Sequence, residues 1–186
     1  GAVGWGVRGR PPVPADPAAR RAVGGRVLGG VKGCRGSRTL GERGPSGARE
    51  LGMYGGDVPV LNWRATPDWH EAALALGGTA LADSILVGRH TCYACPIACK
   101  RTIEIREGKY KTPKGAGPES ETVAAFGTLL GNANLGAVAH ANDLCNRWGM
   151  DTISCGATIA CAIECFEHGL LTRAYPGGRA LRWADG

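Results

Sequence analysis

A chain of 186 residues with 44% hydrophobic composition is long enough to bury a core, and with no run of eighteen apolar residues it shows no membrane-spanning helix. The net charge of +6 is unevenly placed: residues 1–50 hold nine Arg and one Lys against three acids, and the remainder sums to −1. That basic arm has a single aromatic, Trp5, and neither RGG repeats nor a Lys/Arg run, which argues against nucleic acid as a partner.

In chain order, residues 1–50 carry thirteen Gly and five Pro without sustained periodicity, so an irregular arm is expected, with at most a short strand or turn near 26–32. Order is expected from Leu51. After the extended GDVPVLNW, the stretch PDWHEAALALG (67–77) has the first-turn proline, early acid and late glycine of a short helix, and a second helix is expected over 79–87. A cysteine-rich loop follows. Beyond it, TIEIREGKYKT (102–112) has two alternating runs around Glu107-Gly108, the pattern of a β-hairpin, and 113–117 reads as a loop. Three helices close the order, over 118–130, 135–148 and 152–168, with Gly131, Gly149 and Gly169 as stops. The last is so poor in bulky side chains around Cys155, Gly156, Ala157 and Ala160 that another element is expected to approach it closely. After Tyr175-Pro176-Gly177-Gly178 the tail RALRWADG starts a new segment, and with no initiator methionine at the other end the expectation is a fragment with a truncated tail over 176–186.

The chemistry is concentrated in TCYACPIACKRT (91–102), where Cys92, Cys95 and Cys99 stand in a C-x2-C-x3-C arrangement. Of eight cysteines, five (these three with Cys161 and Cys165) lie three or four apart, too close for independent loop-closing disulfides, which points to metal ligation in a reducing compartment, here taken as the cytoplasm. Structural zinc wants four ligands, commonly two C-x2-C knuckles or added histidines, and His90 has no spaced partner. A [4Fe–4S] cluster takes four cysteines, three of them typically from one short segment, so the triplet tilts toward the cluster. Pro96 stiffens the loop's turn and removes one competing N–H. Cys145, Cys155, Cys161 and Cys165 are expected to pack in the core, as free cysteine usually does; Cys34 is uninformative.

CYACPIACKR, GPESETVAAFGTLLGN, ANDLCNRWGMDTIS and a small-residue helix ending EHGLLT, preceded by GDVPVLNWR, together resemble the middle of the tungsten-containing aldehyde ferredoxin oxidoreductase family. The resemblance runs from about residue 51 to residue 172. It implies a mainly α fold, with 51–175 a helical domain carrying cluster and pterin sites, a short β-hairpin after the cysteine loop, and 1–50 an irregular arm left from an upstream pterin-binding domain. It implies a tungsten or molybdenum bis-pterin beside a [4Fe–4S] cluster, and oxidation of a small aldehyde to a carboxylate with ferredoxin as electron acceptor. The remaining domains of the enzyme would be partners, and this chain alone is expected to be inactive.

By that resemblance Cys92, Cys95 and Cys99 are cluster ligands, the fourth lying downstream. GPESET sets Glu121, ahead of Glu119, where an acid approaches the metal, with Ser120 in place of the family's tyrosine. NRWGMD matches a pterin motif through Asn146, Gly149, Met150 and Asp151, with Asn146 replacing an aspartate. His140 and His168 are not assigned the family's metal-adjacent histidine. Without the resemblance, two acids after Pro118 simply satisfy the helix macrodipole and NxxGMD is a helix stop followed by a cap. Two alternatives stay open: the same cofactors with another substrate, such as an aromatic acyl thioester that is reduced, or an iron–sulfur or zinc module without catalysis.

Overall fold

Eight α-helices and a three-stranded antiparallel sheet make up the described residues of the computed structural model, which are 15–64, 69–174 and 177–184, save the side chain of Glu50. Trp5, the helix start at Pro67 and the Tyr175-Pro176 turn lie outside them. The order is α1 (Pro17–Gly33), α2 (Arg35–Arg43), a 3-10 turn (Pro45–Ala48), α3 (Arg49–Gly55), α4 (His70–Leu74), α5 (Gly78–Ser84), β1 (Leu86–His90), β2 (Lys100–Ile105), β3 (Thr112–Ala116), α6 (Ser120–Phe126), a second 3-10 turn (Thr128–Leu130), α7 (Leu135–Trp148) and α8 (Thr152–Glu167). The mainly α expectation holds.

The largest departure lies in the arm. Instead of irregular chain, residues 17–33 and 35–43 are helical. Asp16 caps α1, its Oδ1 accepting from the N–H groups of Ala18 and Ala19, both at 2.9 Å, and Pro17 occupies the first turn. A good cap, a pre-set φ and the Ala/Arg run that follows outweigh the glycine cost of about 1 kcal/mol each that argued for disorder. α1 nevertheless buries no residue, whereas α2 packs its Gly41 against the cysteine loop.

Two further differences concern the sheet. The helix expected over 79–87 ends at Ser84, and Leu86 begins β1, which pairs with β2 through Leu86↔Ile103, Arg89↔Arg101 and His90↔Lys100. The expected loop 113–117 is mostly β3, paired through Thr102↔Ala116 and Ile105↔Thr112. Pro113 is tolerated because β3 is an edge strand, where a missing N–H costs no ladder bond. The hairpin read around Glu107-Gly108 is present, with Gly108 at φ 90°.

The helices at the C-terminal end follow the sequence closely. α7 is capped by Asn134, whose side chain accepts from Ala137 N–H, and stops at Gly149; α8 is capped by Asp151, which accepts from Ser154 N–H at 2.7 Å. The helix expected over 118–130 breaks at Gly127 into α6 and the second 3-10 turn. The tail is tied down: Trp183 Nε1 donates to Glu167, Arg64 pairs with the same carboxylate at 2.9 Å, and Ala184 N–H reaches Leu130 O.

Leu76, Val123, Phe126, Val138 and Cys145 form one core cluster, and Leu81, Ile103 and Ala139 a second, with Leu135 packed against both. The core therefore lies where α6, α7 and the sheet meet. Cys145 belongs to it and Cys155 lies against it, as expected; Cys161 is exposed and Cys165 half-buried, and neither joins the core they were expected to pack in. Burial and the neighbouring Cys155 push the Cys145 thiol up to about 11.

The small-residue face of α8 does its expected work at Gly156, where an added Cβ would stand 2.6 Å from the Ala125 carbonyl oxygen of α6. Gly156→Val is expected to destabilise the chain by about 1–3 kcal/mol through overpacking, read from the urea midpoint. The Cys145 thiol is held protonated in the fold, so its contribution is present below pH 9 and lost as pH rises toward 11. Wild type should therefore lose stability over that range more steeply than Cys145→Ala.

Candidate metal centre and adjoining cavity

The cysteine loop is the connection between β1 and β2, closed at its base by the His90↔Lys100 pair. Cys95 N–H donates to Cys92 O at 3.0 Å, forming a tight turn, and the Thr91 hydroxyl donates to the carbonyls of both Cys92 and Cys95. Ala94 and Ala98, which immediately precede Cys95 and Cys99, both sit at φ 56° in the left-handed region. Each costs roughly 1–2 kcal/mol in a non-glycine residue. The strain sharpens the chain before two of the three thiols. Cys92 is exposed, Cys95 and Cys99 are half-buried, and all three are free. They share a loop without converging: among the described residues no three His, Cys, Asp or Glu side chains gather at one metal-sized point.

What holds this loop is Arg101, on β2. The residue is 3% exposed, and its guanidinium donates to four backbone carbonyls: Cys99 O at 3.0 Å, Ala98 O at 3.0 Å, Glu42 O at 3.0 Å and Gly41 O at 2.9 Å. Two of these belong to the loop and two to the last turn of α2, where carbonyls lack helical partners and the macrodipole favours a cation. Arg89 adds a bond to Gly41 O at 2.7 Å. Burial, then the Arg89 charge, pull the Arg101 guanidinium down, while Cys99 and Glu119 act the other way.

Lys100 pairs with Glu119 at 2.7 Å, and the hydrogen bond to Glu119 raises the ammonium above its ordinary range, with Cys92 and Cys99 adding to the rise. The two acids of GPESET therefore separate. Glu119 is committed to Lys100, joining the cysteine loop to α6, while Glu121 is exposed and lines a cavity. The sequence placed Glu121 only slightly ahead of Glu119, and the two differ in surroundings, one held in an ion pair and the other on a cavity wall.

Asn146, Gly149, Met150 and Asp151 come together on the α7–α8 turn, all exposed. Gly149 is at φ 67°, with nothing within 4 Å of where a Cβ would stand, so the backbone there is open to a ligand. Asp151 serves as the α8 cap, and its hydrogen bonds from Ser154 hold the carboxyl below its usual range. His140 leans on Lys111 O at 3.1 Å and His168 is exposed beyond α8.

Beside this turn is a cavity of about 550 Å³ between the segment that carries α3, the 57–63 stretch, α6 and α8, lined by Arg49, Asp57, Trp63, Glu121 and Ile153 among others. Arg49, Arg89 and Arg101 were not singled out from sequence. The Arg excess of residues 1–50 includes Arg49 but neither Arg89 nor Arg101, and nothing local distinguishes a clamping arginine from a solvated one.

The family model for aldehyde ferredoxin oxidoreductase, domains 2 and 3, matches residues 35–186. The chain belongs to this family. The match begins inside the segment read as an arm, at the first residue of α2, the helix that Arg101 ties to the cysteine loop. Among curated relatives, the tungsten-containing aldehyde ferredoxin oxidoreductase of Thermococcus kodakarensis is 38% identical over 142 residues, covering 73% of this chain and 21% of that protein. That of Pyrococcus horikoshii is 40% identical over 131 residues, 69% of this chain and 20% of that protein. The WOR-like subunit of an aliphatic sulfonate oxidoreductase from Pyrococcus furiosus is 31% identical over 93 residues, half of this chain and 15% of that protein. The chain thus spans about a fifth of the length of the aldehyde ferredoxin oxidoreductases it matches.

Arg101→Met leaves four carbonyls without their shared donor. A loss of about 3 kcal/mol is expected, together with faster amide exchange across 91–99 and 41–43, whereas Arg89→Met, which removes one bond from an exposed side chain, should cost about 1 kcal/mol or less.

Proposed function

We propose that this chain is the cluster-carrying helical part of a tungsten or molybdenum pterin oxidoreductase that converts aldehydes to carboxylates in the cytoplasm and delivers the electrons to ferredoxin. The observation that carries the reading is the family match over 35–186, within which the three cysteines sit on one loop clamped to the matched domain. The donor set fits a [4Fe–4S] cluster in part. Cys92, Cys95 and Cys99 are soft sulfur donors at one end of the domain, with a fourth sulfur to come from outside the loop. When bound, the cluster and the metal–pterin supply the net oxidation of R–CHO and water to R–COO⁻ with release of three protons and two electrons, the latter passed on singly.

This chain's own residues would bind and orient. Arg101 fixes the loop that carries the thiols, and the positive charges of Lys100 and Arg101 lower the cost of holding several thiolates together. Asn146 and Asp151 would accept hydrogen bonds from pterin N–H groups, the charged Asp151 more strongly, while Gly149 and Met150 leave room for the ring system. Glu121, the free acid of the pair, would take a proton at its carboxylate from the reacting substrate or water. A second reading keeps these cofactors and changes the substrate; it is favoured by the likeness to the aliphatic sulfonate oxidoreductase subunit and by Ser120 standing where the family's tyrosine is expected.

Metal analysis of the whole protein that contains this chain tests the class. Tungsten or molybdenum together with iron is the expected result, with iron content falling in Cys95→Ser; iron alone would make it an electron carrier, and zinc alone would overturn the redox reading. In the metal-loaded enzyme, Glu121→Gln should lower kcat for an aldehyde by about 10²-fold or more. Glu119→Gln should cost mainly stability, about 1 kcal/mol or less for a half-exposed ion pair, and leave kcat within about tenfold.

A further inference from the structure

Residues 17–43, the span of α1 and α2, carry six Arg and one Lys against a single Glu, and all eight charged side chains are exposed. None of the seven cations forms an ion pair among the described residues. Like charges so placed repel one another, and an anionic surface laid across them removes that cost.

This charge meets the metal side of the molecule at a defined place. A Cβ added to Gly41 would stand 3.1 Å from the Ile97 carbonyl oxygen, so α2 packs directly on the cysteine loop, and Arg89 and Arg101 both bond the Gly41 carbonyl. Where the end of α1, α2 and the loop meet there is a hollow of about 200 Å³, lined by Val31, Lys32, Arg38, Arg89, Pro96 and Ile97 among others. It falls below the roughly 300–1,000 Å³ of small-molecule sites and suits one or two side chains reaching in from another protein. Three of its lining residues are cations and one, Glu42, is an acid. Apolar groups flank it. Val23 and Val27, both exposed, precede Val31 at four-residue steps on one face of α1, and Tyr93, between Cys92 and Cys95 in the chain, is fully exposed. Exposed apolar and aromatic groups beside a basic rim are the make-up of a protein-docking surface. A nucleic acid would call for a track of cations with several stacking aromatics, and here a single tyrosine and one small hollow stand beside the loop.

We infer that this face is the docking surface for an acidic electron-carrier protein, whose carboxylates meet Lys32, Arg38 and Arg89 and whose surface lies against Pro96 and Tyr93, next to the three thiols. As a route for electrons it rests on the cluster proposed for that loop, whereas the docking itself rests on the charge and the hollow. One electron leaves the loop's cluster and one enters the oxidised carrier at each encounter, with no bond or proton exchanged. Such a transfer needs a fast and loose complex, which opposite charges provide through the association rate.

The test uses the whole protein that contains this chain, with an acidic [4Fe–4S] ferredoxin as the probe. In surface plasmon resonance its association rate should fall steeply as salt is raised. The double variant Lys32→Glu, Arg38→Glu should slow association by about tenfold or more at low salt, while Lys32→Arg, Arg38→Lys keeps the wild-type rate. Both residues are exposed and unpaired, so the circular dichroism should not change. In the metal-loaded enzyme kcat/KM for ferredoxin should fall with the association rate, and turnover with benzyl viologen, a small acceptor that needs no docking face, should be that of wild type. Salt-independent association, a wild-type rate in the double reversal, an equal loss with benzyl viologen, or tighter binding of RNA than of ferredoxin overturns the inference. So does protection of Lys32 from acetylation in the protein without ferredoxin, which would mean that the rest of the protein covers this face. Ferredoxin binding that the double reversal abolishes, in a protein that proves to hold only zinc, leaves the surface standing and removes the reaction. A tungsten- and iron-loaded enzyme whose double reversal still reduces ferredoxin at the wild-type rate does the opposite.

Discussion

The buried guanidinium of Arg101 is the constraint on which the metal-side architecture depends. A nine-residue loop with two non-glycine residues in the left-handed region has little reason of its own to hold one shape. Four carbonyls converging on one planar cation give it that reason, since Arg offers five N–H donors in a fixed fork and neither Lys nor a neutral residue can span the same acceptors. Two of the carbonyls come from the frayed end of α2, so the clamp also completes that helix. α2 thereby belongs to the cysteine site even though some fifty residues of chain separate them.

A second set of ties starts from three consecutive residues at the head of α6. Glu119 reaches Lys100 beside the cysteines, the Ser120 carbonyl accepts from Arg49, and Glu121 lines the cavity. A short helix thus links the sulfur loop to the cavity within one turn. Ala125, one turn beyond Glu121 on the same face, is closely approached by Gly156, which brings the start of α8, and with it Asp151 and Ile153, to the same region. The exposed NxxGMD turn and the cavity are consequently neighbours because α6 and α8 lack side-chain bulk where they touch.

The sequence made legible what is decided locally. α7 and α8 begin and end where Asn134, Gly149 and Asp151 say they should, because caps and stops act within four residues. The hairpin around Gly108 and the three clustered cysteines are equally local. β1 was taken for the end of a helix because its identity comes from pairing with β2, across a loop that carries no strand signal. Pro113 suggested a loop until its edge position was known. The arm was misjudged for a different reason: a glycine count weighs helix cost, whereas Asp16 and Pro17 supply the nucleus on which a helix depends. Arg49 and Arg101 were illegible in principle, since a clamp between residues 41 and 101, or a contact from residue 49 to residue 120, leaves no trace in composition or spacing.

The cysteines divide along the same line. Those of the 92–99 loop are exposed (Cys92) or half-buried (Cys95, Cys99), next to Lys100 and Arg101. Cys145 lies in the core against Cys155, and burial keeps its proton on up to about pH 11, which makes it a packing residue and a poor soft-metal ligand. Cys161 and Cys165 share a face of α8, and burial followed by their mutual hydrogen bond raises the Cys165 thiol. Spacing alone grouped Cys161 and Cys165 with the loop as ligand-like pairs. Environment separates them: a cluster of sulfur ligands needs cations beside it, and the loop bolted down by Arg101 has Lys100 and Arg101 at its end, whereas Cys161 and Cys165 have Glu164 between them.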